Sequence, residues 1–102
     1  MATYSKKLVA NETLAANVVD QVAITTIGHT LTVSNVTGTS AIYVVLWWGG
    51  APVPADPTVA GDDCYVLPAA ICSRSWNLPT GDAPSVKLIS AGAMAYSVDV
   101  QQ

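Results

Sequence analysis

Apolar residues recur at every second position along most of this chain. Val22 and Ile24 alternate with Ala23 and Thr25, and Leu31 and Val33 with Thr30, Thr32 and Ser34. Cys72, Arg74, Trp76 and Leu78 alternate with Ser73, Ser75 and Asn77, and Met94, Tyr96, Val98 and Val100 with Ala95, Ser97 and Asp99. Strand side chains point to opposite faces in turn, so this period marks half-buried strands. Turn residues separate the runs: Gly28, NVTGTS (35–40), the long 49–63 loop, LPAA (67–70), PTGDAP (79–84) and SAG (90–92). Short strands between regular turn signals predict one all-β domain over 1–102, an antiparallel β-sandwich of about seven to eight short strands, with a jelly roll as one arrangement. Residues 1–17 read as an N-terminal arm or an edge strand near Thr3 to Val9. The one helix candidate is a single turn over 11–16 with Asn11 as its cap.

The run AIYVVLWW (41–48) breaks this rule, because both of its faces are apolar. Ile42, Val44, Leu46 and Trp48 share one parity, and Tyr43, Val45 and Trp47 share the other. An antiparallel sheet usually leaves one face polar, so two apolar faces predict that something covers the outer one. By parity Trp48 belongs to the core. Trp47, with Tyr43 and Val45, is then expected at an interface with a neighbouring chain, because aromatics are enriched at interfaces.

Composition sharpens this picture. The 102 residues are 51% apolar and only 11% charged, against about 25% charged for an ordinary soluble domain. The solvated surface must rely on Ser, Thr, Asn and Gln, or else neighbouring subunits cover much of it. Net charge is −3, and Lys6, Lys7, Arg74 and Lys87 are the only cations. Four scattered cations supply no electrostatic footprint for nucleic acid or for an anionic membrane. The N-terminus shows no export signal, and no apolar run reaches a membrane span. Production in a cytosol is therefore expected. Cys64 and Cys72 flank LPAA; if that is a hairpin, they could face each other and pair. The alternative, favoured by the absent export signal, is two reduced thiols packed as small apolar groups.

Candidate chemistry is sparse. His29 is the single histidine and is expected in a turn before a strand. It could pair with Cys64 or Cys72 only across distant sequence, and no nucleophile motif surrounds them. Asp56, Asp62 and Asp63 share a loop, but their spacing lacks the alternation of a calcium loop; local turn hydrogen bonds explain them as well. No phosphate-cradling glycine loop is present. No cofactor, metal or catalytic group is expected.

Three strings carry a resemblance: AIYVVLWWGG, DPTVAGDDCYVLPAA and VKLISAGAMAYSV, together spanning about 41–98. They resemble the pattern of small virion proteins of tailed bacteriophages. There an IYV strand leads to a P-T-V-G-G-D loop, a YVLPA strand and a closing VKLISAG…YSV. The N-terminal third matches only as generic strands, and the paired tryptophans stand where a less bulky polar strand end is usual. The resemblance implies a non-enzymatic structural protein on the virion surface, made in the host cytoplasm. The first expectation is a capsid decoration protein, a homotrimer bound to the major capsid protein. A tail, baseplate or fibre-tip module is the alternative within the class. A carbohydrate-binding module using an exposed Trp47 or Trp48 is the alternative outside it.

Overall fold

Two sheets packed face to face carry this alternation in a computed structural model that describes residues 2–102; Met1, the first residue of the expected arm, lies outside the described residues. The strands are β1 (Ala2–Lys6), β2 (Val9–Leu14), β3 (Asp20–Ile24), β4 (Gly28–Asn35), β5 (Ile42–Trp47), β6 (Tyr65–Leu67), β7 (Cys72–Asp82), β8 (Ser85–Ser90) and β9 (Met94–Gln101). One sheet runs β1-β3-β8-β5-β6 and the other β2-β9-β4-β7. From β2 onward the two orders, 2-9-4-7 and 3-8-5-6, are those of a jelly roll. Every pair is antiparallel except the added β1, which lies parallel to β3.

The inward set is the one the period picked out. Leu31 sits level with Trp76 on one side and Val100 on the other, and Val33 with Arg74 and Val98. Val22, Val44, Val86 and Leu88 meet them from the opposite sheet, all fully buried. Outward from the β2-β9-β4-β7 sheet stand Asn11, Ser97, Ser34 and Ser73 in one row and Val9, Asp99, Thr32 and Ser75 in the next. Thr32 and Ser75 join their hydroxyls at 2.8 Å. This hydroxyl face is where the chain gains a solvated surface with so little charge.

Four expectations need correction. The 11–16 helix does not form. Ala10 and Leu14 are buried while Asn11 and Thr13 point out, so period 2 governs there, and six register pairs with β9 outweigh a lone cap residue. The single edge strand near Thr3 to Val9 is two strands: the chain leaves one sheet at Lys6 and enters the other at Val9, which brings the count to nine. Leu67 to Ala70 is a crossover between sheets, so Cys64 and Cys72 are not hairpin partners. Both are free thiols, each donating to a carbonyl of its own loop (Gly61 O at 3.2 Å and Pro68 O at 3.8 Å). Finally, β7 runs through Pro79 to Asp82, and β4 begins at Gly28. Proline is tolerated there because β7 is an edge strand. His29 is therefore a strand residue at the register shift between Gly28 and Thr30, and its ring lies so close to Gly81 that a Cβ there would meet it at 2.9 Å.

Buried polar groups tie the crossovers down. Asn35 is fully buried; its amide donates to Ser40 O and Pro68 O, and its carbonyl accepts from Gly38 N–H. One side chain thus pins the β4–β5 turn to the β6–β7 crossover. Between the sheets, the Tyr96 hydroxyl donates to Asp20 at 3.0 Å, and both residues are buried. Burial pushes the Asp20 carboxyl above the ordinary carboxylate range, the Tyr96 hydrogen bond opposes this, and the Glu12 charge adds to the rise. Burial and the Asp20 charge push the Tyr96 hydroxyl far up. An acid whose proton is held more tightly in the folded chain favours folding most below its unfolded pKa of about 3.9, and that advantage is lost as pH rises through the folded value. Tyr96→Phe leaves the ionised carboxylate short of a donor. It is expected to cost about 1–3 kcal/mol at neutral pH, and less as pH falls and Asp20 takes up its proton. Denaturant melts of both proteins at neutral and acid pH check this; an equal penalty at both would contradict it.

Candidate functional site

The outward row of β5 is Tyr43, Val45 and Trp47, level with Ile89, Lys87 and Ser85 on β8. In this fold the chain's own 48–64 segment lies over part of that row. The connection is made by Lys87, 7% exposed on a central strand. Its ammonium donates to Pro54 O at 2.9 Å and pairs with the Asp56 carboxylate at 2.8 Å. A buried ammonium is costly unless it is paired and hydrogen-bonded, so the lysine and the loop hold each other in place.

Beneath the loop, Val45 is 8% exposed and lines a cleft of about 370 Å³ with Pro54, Asp56, Thr58 and Cys64. The cover predicted for the second apolar face is therefore supplied in part by the same chain. Tyr43 is half-buried at one end of the row, level with the exposed Val66 on β6. Trp47 is half-buried at the other end, with its ring centroid 5.8 Å from the Lys87 ammonium. The three expected interface residues thus share a row but not one open patch, because Val45 lies between the other two under the loop.

The structure instead brings Trp47 and Trp48 together. β5 ends at Trp47, and Gly49 at φ 64 turns the chain, a conformation that costs glycine least. Trp48 leans on the core, as its parity predicts, yet is only half-buried. Both rings line one open groove of about 440 Å³ with Leu46, Ala51, Pro52 and Pro54, and exposed Val53 lies between the two prolines in sequence. The sequence reading did not pick out Lys87 or the prolines. The available signal was a lone lysine inside the apolar strand VKLIS, opposite an apolar strand and near a proline-spaced loop.

The other candidates do not converge on this groove. Asp56 is engaged by Lys87, and among the described residues no three His, Cys, Asp or Glu side chains are grouped to hold a metal ion. Burial, with Asp63 and Asp62 nearby, pushes the Cys64 thiol above its ordinary pKa, which lowers its thiolate fraction. Compared with known protein families, curated proteins and solved structures, the chain gives no match.

Lys87→Met is expected to free the loop at a cost of about 1–3 kcal/mol. Asp56→Asn, whose side chain is half in water, is expected to cost about 1 kcal/mol or less. Hydrogen exchange followed by mass spectrometry should show residues 50–63 losing protection in Lys87→Met while β4 and β9 keep theirs. Unchanged loop protection would show that the lysine is not the clamp.

Proposed function

We propose that this chain is a non-enzymatic structural protein of a tailed-bacteriophage virion, a head-decoration protein that docks on the major capsid protein through the Trp47–Trp48 groove. The observation that carries the reading is a pair of half-buried tryptophans beside a clamped, proline-walled loop, in a groove the chain leaves open. Rigid aromatic groups in a preformed recess are what interface hot spots are made of. The sequence resemblance over 41–98 supports the virion class, and jelly rolls occur among viral capsid domains, though a fold alone carries no function.

The physical role follows from linkage. A small domain that binds across assembled shell subunits, and not free ones, stabilises the assembled state. Contacts of this kind need area and shape, not charge, which suits a surface of hydroxyls and apolar groups. A tail or fibre-tip module would use the same contacts. A glycan reading fits less well, since Leu46, Ala51, Pro52 and Pro54 offer no side-chain hydrogen-bonding groups to orient sugar hydroxyls.

Immunogold labelling of particles distinguishes head from tail. In a capsid-binding assay, Trp47→Ala should lose about 2 kcal/mol or more, roughly 30-fold in affinity, with little change in Tm. Trp48→Ala should lower Tm, because its ring rests on the core. If Trp47→Ala binds heads as the unmodified chain does, this groove is not the docking site.

A further inference from the structure

We infer that the free edge of β7 is a self-pairing surface, through which two copies of this chain join as antiparallel strands about a two-fold axis at Ser75. The inference rests on the edge itself and not on the virion reading.

The four sheet edges are treated differently. β6 is three residues long, and β1 and β2 are five and six. At the corner between those two, Lys6 O accepts from Thr25 N–H and Leu8 O from Val100 N–H. β7 is eleven residues long and pairs only with β4. Among the described residues, no further backbone hydrogen bond reaches it. Natural edges are blunted by short length, lysine, proline or an inward charge. Cys72 to Leu78 has neither proline nor lysine. Its one charge, Arg74, has core-side parity but is exposed, and lies over the Tyr65 and Trp76 rings at 4.7 and 5.6 Å from their centroids. Among the described residues the guanidinium has no carboxylate partner.

Such an arginine guards an edge when an incoming strand offers it nothing. A second copy of β7 does offer something. Pairing centred on Ser75 sets Arg74 opposite Trp76 of the second copy, which adds an aromatic face to a guanidinium already stacked on two. The same register sets Ser73 opposite Asn77 and Cys72 opposite Leu78. One step further, Ile71, 80% exposed and the most exposed large apolar residue of the described chain, meets Pro79. Apart from the Arg74–Trp76 stacks, apolar residues meet apolar ones and polar meet polar, and neither arginine lies directly opposite its mate. The joined sheet would run to eight strands, with the hydroxyl rows of Ser73, Ser75 and Asn77 continuous across the axis.

The contact engages roughly nine residues a side against the ~20–30 of a standard interface. Association should therefore be weak and concentration-dependent. Sedimentation equilibrium from micromolar to millimolar protein is expected to show the mass rising from monomer toward dimer. Ser75→Lys and Ser75→Asp each set like charges face to face on an exposed position, so each alone should stay monomeric, with its melt lowered only by the loss of the exposed Thr32–Ser75 hydroxyl bond. An equimolar mixture of the two should recover the dimer, which a merely structural role for Ser75 would not produce. The inference is overturned by a chain that stays monomeric at millimolar concentration, by a closed trimer, by Ser75→Lys associating like the unmodified protein, or by a mixture no better than its parts. Solution mass reads this pairing, whereas particle binding reads the groove, so the failure of one is distinct from the failure of the other.

Discussion

One ammonium group organises the outer face of the larger sheet. Lys87 stands on a central strand, among Val86, Leu88 and Ile89, with its side chain on the side away from the core. Left in water it would need no partner. Instead it is buried, and burial must be offset by the Pro54 carbonyl and the Asp56 carboxylate. Those two groups come from a loop with no strand of its own, whose conformation has little else to define it. The loop buries the lysine, and the lysine holds the loop. Val45 becomes interior only because that exchange is complete, and the Trp47–Trp48 groove has a wall only because Pro54 is held above it.

The two outer faces show two ways to build a surface with few charges. On the β2-β9-β4-β7 sheet, short hydroxyl and amide side chains stand in rows, Thr32 and Ser75 bonded to each other, with one oxygen of Asp99 among them buried and unpaired. On the other sheet, an apolar face is roofed by its own chain. The cost of the second solution is an open seam where the roof ends, and the seam is where both tryptophans stand. Asn35 and the Tyr96–Asp20 pair do comparable work inside, with every polar atom given a partner so that crossovers and sheets keep one arrangement.

The fold class was legible because β4 from Thr30 to Ser34 and β9 from Met94 to Val100 alternate cleanly, with small or polar side chains on one side and buried apolar ones on the other. Where the alternation was blurred, reading failed for physical reasons. Ala10 and Leu14 bracket Glu12, a weak stripe that a single Asn cap could imitate as a helix start. Pro79 and Gly81 read as turn residues, but an edge strand can hold a proline without losing a ladder bond. For Cys64 and Cys72 the sequence left hairpin and crossover both open, because local spacing cannot tell a turn from a crossover between sheets. Parity assigned Trp47 and Trp48 to opposite faces, and that holds up to the strand end; beyond it, Gly49 turns the chain and the groove reunites them. Lys87 was the least legible of all, since its role depends on a loop some thirty residues earlier.

The groove and the β7 edge lie on different parts of the molecule: the groove on the outer face of one sheet, the edge on the flank of the other. On the proposed reading, a copy docked through its groove would keep its β7 edge free at the side. Strand pairing that is weak in solution is governed by how often two edges meet in register. Molecules held side by side on one surface meet at an effective concentration set by their spacing, and this converts a weak contact into an occupied one without any new interaction. The stacking of Arg74 suits such a division. It shields the aromatic rings while the chain is free, yet leaves the backbone edge open to a strand that arrives already oriented. If both proposals hold, a chain with one clamped groove and one uncommitted edge would remain dispersed until a surface gathers it.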